Sequence, residues 1–265
     1  MADELGIAVV PLHIYFGDEH FVDGESISRD EFYRRLTSPG MKLPRTSAPS
    51  SGDFAAAYQR LAESDDDIVS IHISPKLSAT YAAAVAASRT VKTSRPIRVM
   101  DSTTASLGLG LLVLEAARMA RDGASANDIV RATSESVPRT MFFGVLETLE
   151  YLRRGGRIGA ARALLGTLLN AKPLVGLRDG VAYPIERVRG RRRALDRIVQ
   201  LTSNHRPLAH LCVGHTTDVD GMESLAQLLS PYFPADRMLR AQCGATLGTY
   251  LGPGAFGVAL IETPR

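Results

Sequence analysis

Ser70–Val85, SIHISPKLSATYAAAV, decides how the first half of the chain reads. Ile71 and Ile73 are apolar and β-branched, as a buried strand prefers, so Ser70–Ile73 predicts a strand. Pro75 stops it, because proline has no N–H to give a sheet ladder. The alanine-rich run Tyr81–Ala87 then predicts a helix, with Ser78 or Thr80 as its N-cap. The loop between them delivers hydroxyls and free backbone amides to the positive end of a helix. Such a point suits an anion, either a phosphate or a carboxylate. The plainer reading is a pair of capping hydroxyls. His72 lies inside the apolar strand and reads as core or lining, not as a ligand.

Outward from this stretch the pattern repeats. Pro39–Ser51 reads as loop and holds Thr46 and Ser47 between Pro44 and Pro49, which stiffen the backbone. A strand at Ile97–Met100 ends in Asp101-Ser102-Thr103-Thr104, another polar cluster. Strands alternating with helices argue for a parallel α/β sheet, whose ligands sit beyond the C-terminal strand ends. Upstream, Ile7–Phe16 reads as a strand, with a second around His20–Val22. A capping box at Ser28-x-x-Glu31 opens a helix through Leu36, and Ser50-x-x-Asp53 resembles another helix start. A long apolar helix is expected from Ser106 to Asp122, and Ser125 opens the next.

The second half reads differently. Met141–Val145 predicts a strand, Glu147–Arg154 a helix closed by Gly155-Gly156, and Arg162–Leu169 a second apolar helix. Arg178-Asp179-Gly180 between two strands is a strong hairpin signal. A basic helix runs from Arg191 to Thr202, and Leu208–Gly214 and Val258–Ile261 are strands with a helix at Met222–Leu229 between them. Hairpin pairing here argues for a mixed sheet. Pro138 interrupts the helix pattern near Val137–Arg139, so two domains are expected, 1–137 and 138–265.

Composition sets the outer bounds. The chain has 265 residues, 45% hydrophobic and 22% charged, with net charge +3; that charge is too mild to argue for nucleic acid. No apolar run is long enough to span a bilayer. The acidic start MADELGIAVV lacks the basic region of a signal peptide, so a cytoplasmic location is expected. Cys212 and Cys243 fit neither a disulfide framework nor metal spacing, and the six histidines form no metal motif. Neither a metal nor a cofactor is expected.

Several motifs, in order, carry a resemblance: Leu43-Pro44-Arg45-Thr46-Ser47-Ala48-Pro49-Ser50; Ile71–Ser74 through Leu77-Ser78-Ala79-Thr80-Tyr81; Asp101-Ser102; Leu149–Ile158, LEYLRRGGRI; and Gly252-Pro253-Gly254-Ala255. Together they make the chain, from Leu5 onward, resemble the DegV family of bacterial fatty-acid-binding proteins, acyl carriers for a fatty acid kinase. The resemblance implies a two-domain α/β protein, a parallel-sheet domain in three layers followed by a mixed-sheet domain, with a long-chain fatty acid between them. It places the carboxylate on Thr46 and Ser78, with Ser47 and Thr80 beside them, and Arg157 near the headgroup. Arg157 has a second reading as a helix-end cap or an interdomain pair. The tail would need apolar walls, for which Leu107–Leu114, Phe142–Leu146 and Leu164–Leu169 are candidates.

Two departures stand out. Tyr250 occupies the place of a family histidine near the headgroup; its hydroxyl can donate a hydrogen bond but is not a cation near neutral pH. The strand and turn that open family chains are missing here, which predicts an exposed sheet edge in the first domain. The expected protein is a non-catalytic, monomeric carrier that presents its fatty acid to a kinase. A serine hydrolase using Ser78 or Ser102, or another small-anion-binding enzyme, is the alternative; it lacks a GxSxG elbow. Arg187, Arg189, Arg191, Arg192, Arg193 and Arg197 form a basic run without interleaved aromatics. That run reads as a docking face for an acidic partner, or a nucleotide-phosphate contact in a kinase complex, not as a nucleic-acid site.

Overall fold

Pro11 shortens the first strand. Of the stretch Ile7–Phe16 only β1 (His13–Phe16) is a strand, because a proline cannot donate to the ladder. A computed structural model describes residues 1–166 and 171–264. β1 pairs antiparallel with β2 (Glu19–Val22) on one side and with β3 (Arg45–Ser47) on the other. The segment Pro39–Ser51 is therefore not all loop: Thr46 is fixed opposite Ile14 by a strand pairing. Helix α1 (Arg29–Leu36) lies between β2 and β3, and the Ser28 hydroxyl accepts from the Glu31 amide at its start.

Helix α2 (Ser51–Ala62) opens with the complete capping box of Ser50 and Asp53. It leads to β4 (Ile68–His72), α3 (Thr80–Ser88) and β5 (Ile97–Asp101), and β4 pairs with β5 in parallel. The residue preceding α3 is Ala79, which offers no side-chain cap; Ser78 and Thr80 are not the cap itself. Phe54 and Tyr58 of α2 and Ala84 and Ala87 of α3 bury the even-numbered face of β4 with Ile68. Helices α4 (Ser106–Arg121) and α5 (Ala126–Ser136) also pack on these strands. Among the described residues β4 and β5 have no other strand partner, so each keeps an open edge.

A 3-10 turn, Val137–Arg139, carries Pro138 and leads into β6 (Thr140–Val145). Helix α6 is confined to Glu150–Arg154, shorter than the sequence suggests. A 3-10 turn covers Gly159–Leu164 in place of the start of the expected helix; the end of that expectation, 167–169, lies outside the described residues. Strands β7 (Ala171–Arg178) and β8 (Val181–Arg189) form the predicted hairpin, and Asp179 and Gly180 both take positive φ, 51° and 77°. That is the geometry a two-residue Asp-Gly turn supplies.

Helix α7 (Arg191–Ser203), β9 (Leu208–His215) and α8 (Val219–Leu229) follow as expected. Two further elements were not legible: β10 (Leu239–Gln242) and α9 (Ala245–Leu251). Strand β11 (Phe256–Glu262) closes a six-stranded sheet of order β10-β9-β11-β6-β7-β8. Only β10 and β9 run parallel in it. Helices α7 and α8 bury one face, around Ile198, Leu225, Val213 and Val258. Helix α4 covers part of the other face through Leu111 and Leu112, against Phe142, Cys212 and Ala259. A helix of the first half thus lies on the sheet of the second.

Candidate functional site

Four segments distant in sequence meet at Tyr250. Its hydroxyl lies 2.6 Å from the Thr46 hydroxyl. Its ring is faced by the Arg157 guanidinium, 5.1 Å from centroid to Cζ. Arg157 Nε donates to the Leu77 carbonyl at 3.1 Å, and Nη1 to the Gly155 carbonyl at 2.8 Å. Next to Leu77, the Ser78 hydroxyl bonds the Thr80 hydroxyl at 2.7 Å and accepts from the Thr80 amide. Thr46, Tyr250, Arg157, Ser78 and Thr80 are therefore one connected cluster. Ser47 alternates to the other side of β3 and makes none of these contacts.

Local sequence explains the meeting. Tyr250 is near the end of α9, a seven-residue helix too short to hold itself. Asp23 stabilises it: its carboxylate accepts from the Ala245 amide at 3.2 Å and the Thr246 amide at 2.9 Å. Tyr33 donates to the Cys243 carbonyl at 3.0 Å, and burial raises the Tyr33 phenol well above its ordinary range. Gly248 lets the helix close on Phe32 and Tyr33, since a Cβ there would strike both rings. Gly155 does the same for Tyr250, whose ring fills the space a side chain would take. Gly156, with φ of 72°, then turns the chain so that Arg157 returns over the ring. The GGR sequence is thus a seat, a turn and a cover for Tyr250.

A narrow slot runs between α4 and the large sheet. Its floor is a row of glycines on three adjacent strands: Gly144 of β6 opposite Gly257 of β11, and Gly257 opposite Gly214 of β9. Leu251, the neighbour of Tyr250, lines the slot with Leu146, Phe142 and Leu107. The slot is nearly filled: about 10 Å³ of it is open, against the roughly 300–1,000 Å³ of ligand pockets. Two of the expected wall segments supply residues here, at Leu107 and at Phe142 and Leu146. A glycine inside a strand weakens it and often marks a close approach. Each strand shows that signal in sequence, in Phe143-Gly144-Val145, Val213-Gly214-His215 and Phe256-Gly257-Val258. The sequence reading left these glycines aside, as it did Asp23 and Tyr33.

His72 and Ser102 are engaged elsewhere. His72 Nε2 meets the Ser70 hydroxyl at 2.7 Å, and Ser70 accepts from Tyr58 at 2.8 Å. Burial pushes the His72 imidazole down to about 4, so it is neutral near pH 7. Ser102 exchanges hydrogen bonds with the Thr104 backbone. Among the described residues neither Ser78 nor Ser102 has an imidazole within hydrogen-bond reach, the pairing a serine nucleophile needs. No group of three or more metal-ligating side chains occurs among the described residues, and no helix there is long and apolar enough to cross a membrane.

The family model described as "Uncharacterised protein, DegV family" matches residues 1–263. The chain belongs to the DegV family. A DegV domain-containing protein of Caldanaerobacter subterraneus subsp. tengcongensis is 37% identical over 260 residues, 97% of this chain and 92% of the relative. Protein DegV of Bacillus subtilis is 30% identical over 263 residues, 97% and 92% of the two chains. Among solved structures, the fatty-acid-binding DegV family protein from Thermus thermophilus superposes with a TM-score of 0.91 at 31% identity. That match covers 99% of this chain and 94% of the other. DegV of Bacillus subtilis, described as a fatty acid binding protein, gives 0.88 at 29% identity, covering 99% and 94%. The mixed α/β architecture, with parallel and mixed sheets, is that of DegV proteins.

Proposed function

We propose that this DegV protein binds a long-chain fatty acid between two domains, residues 1–137 and 138–265, and presents its carboxylate to a fatty acid kinase. One observation carries the reading: the Thr46 hydroxyl meets that of Tyr250, whose chain neighbour Leu251 lines the slot. Hydroxyls give hydrogen bonds that orient a carboxylate, and Arg157 adds the charge that strengthens them. Arg157 spends Nε and Nη1 on backbone carbonyls and keeps Nη2 for a ligand. Ser78 and Thr80 supply the opposite wall. Relatives of this fold described as binding fatty acids support the assignment. The protein acts as a carrier, without catalysis, metal or cofactor of its own, as a cytoplasmic monomer.

Native mass spectrometry of the purified full chain tests this. The expected spectrum carries an added mass of a long-chain acid, and Thr46→Val lowers its occupancy several-fold. A chain that carries no lipid, and takes up none when offered, overturns the reading. The kinase has its own test. Arg191, Arg192 and Arg193 are exposed in the first turn of α7, where positive charge opposes the helix dipole. Arg191 pairs with Asp218 and Arg192 with Asp196. Reversing the three charges weakens kinase binding and leaves lipid content unchanged; lipid loss would assign the run to the fold.

A further inference from the structure

The hydroxyls of the headgroup cluster have few hydrogens left to give. Each hydroxyl carries one to donate. The Thr46–Tyr250 bond, 2.6 Å, spends one of that pair's two, and the Ser78–Thr80 bond, 2.7 Å, spends one of the other pair's. Each pair therefore keeps one hydrogen for a ligand. That matches the two oxygens of a carboxylate, with Arg157 Nη2 beside them. The neighbouring cations are engaged away from this point. Arg153 and Arg154, from the same motif as Arg157, both pair with Glu150. Lys76 Nζ donates to the Asp179 carbonyl at 2.9 Å. Arg45, next to Thr46 on β3, lies on the opposite side of that strand. Tyr250 adds a donor and no positive charge.

We infer that the cluster selects its ligand by headgroup charge: it holds a carboxylate and discriminates against a phosphate monoester on the same hydrocarbon chain, with Tyr250 as a specificity-determining residue. The inference rests on the proposed fatty-acid site. A phosphate monoester presents three terminal oxygens and about two negative charges. Two hydroxyl hydrogens leave one of those oxygens to Arg157, a single exposed guanidinium that already serves two carbonyls. A charged oxygen taken from water without a full partner is unfavourable. A carboxylate meets no such shortage. The proposed kinase feels the consequence: an acid turned into its acyl phosphate would be held less tightly than before.

The test is a competition between palmitic acid and hexadecyl phosphate, whose chains are equally long. They are offered in equal amounts to delipidated full-length protein, and uptake is read by native mass spectrometry. At pH 8 wild type takes up palmitic acid in roughly tenfold preference, the scale of one missing hydrogen bond to a charged group. At pH 5.5 the carboxylate keeps its charge, while the phosphate, with a second pKa of about 6, has mostly lost one of its two. The preference then falls below about threefold, because the shortage of partners has eased. Tyr250→Lys sets a fixed cation in place of the phenol and narrows the preference at pH 8. Arg157→Gln removes the cation already there and widens it, which serves should the first variant not fold. Equal uptake by wild type at pH 8, or a preference for the phosphate, overturns the inference. So does a preference unchanged at pH 5.5, which would mean exclusion by size, or one that neither folded variant moves. Failure of wild type to take up either ligand overturns instead the fatty-acid reading beneath it.

Discussion

The headgroup cluster and the glycine row are built in opposite ways. The cluster exists because side chains are present: Thr46, Tyr250, Arg157, Ser78 and Thr80 meet by hydrogen bonds and ring contacts. The row exists because side chains are absent from three paired strands. Thr46, Ser78 and Tyr250 are half-exposed and Arg157 is exposed, so water can replace a lost partner there, Thr80 alone of the five being buried. The row is enclosed, and any atom added to it meets backbone or packed side chains. Loss should therefore be mild at the mouth and addition severe at the floor.

Gly257→Val is the harshest break of that comparison. Its Cβ would strike the Phe143 carbonyl and Gly144 backbone, which cannot rotate away. Overpacking of this kind should cost about 3 kcal/mol or more, measured by urea denaturation; a stable, lipid-loaded variant would mean the strands can part. Acid sets the next effect and acts on neither region. His72 is neutral when folded, with its imidazole at about 4 against 6.5 when free. Between those values the unfolded chain takes up a proton the folded chain refuses. Stability is thus complete above pH 6.5 and falls by about 3 kcal/mol as the pH drops to 4. Lipid release in that range should coincide with loss of the fold, followed by circular dichroism, and release before unfolding would place the acid-sensitive group in the mouth.

Smaller effects separate support from contact at the mouth. Asp23→Ala leaves two amides at the start of α9 without an acceptor and should cost about 1–2 kcal/mol, with Tyr250 displaced and lipid affinity reduced. Tyr250→Phe removes only the bond to Thr46, worth about 1 kcal/mol. Its melting temperature should barely move, while lipid affinity falls several-fold by titration. Were Asp23→Ala harmless to binding and Tyr250→Phe harmful, α9 would need no support from the first half.

The sequence exposes the mouth better than the floor for the same reason. Thr46, Ser78 and Arg157 stand in local motifs that a reader can recognise, and their loops are delimited by Pro44, Pro75 and Gly155-Gly156. The Asp179-Gly180 hairpin is legible because two adjacent positive φ values demand those residue types. The glycine row is not, since it depends on register between strands far apart in sequence. Helix α9 is short and its stability comes from Asp23 and Tyr33, more than 200 residues away, so local propensity says little about it. The cap of α3 misleads for another reason: Ser78 and Thr80 turn their hydroxyls to each other.

The turn at Asp179-Gly180 reaches beyond its own hairpin. Ser74 packs where a Gly180 side chain would be, and Lys76 Nζ donates to the Asp179 carbonyl at 2.9 Å. The loop that carries Ser78 is thereby clamped by a turn from the other half. Recombining the halves of two relatives at Pro138 would sever partners that must travel together. A working chimera would have to inherit Ser74–Lys76 and Asp179-Gly180 from one parent, whatever the source of the remainder.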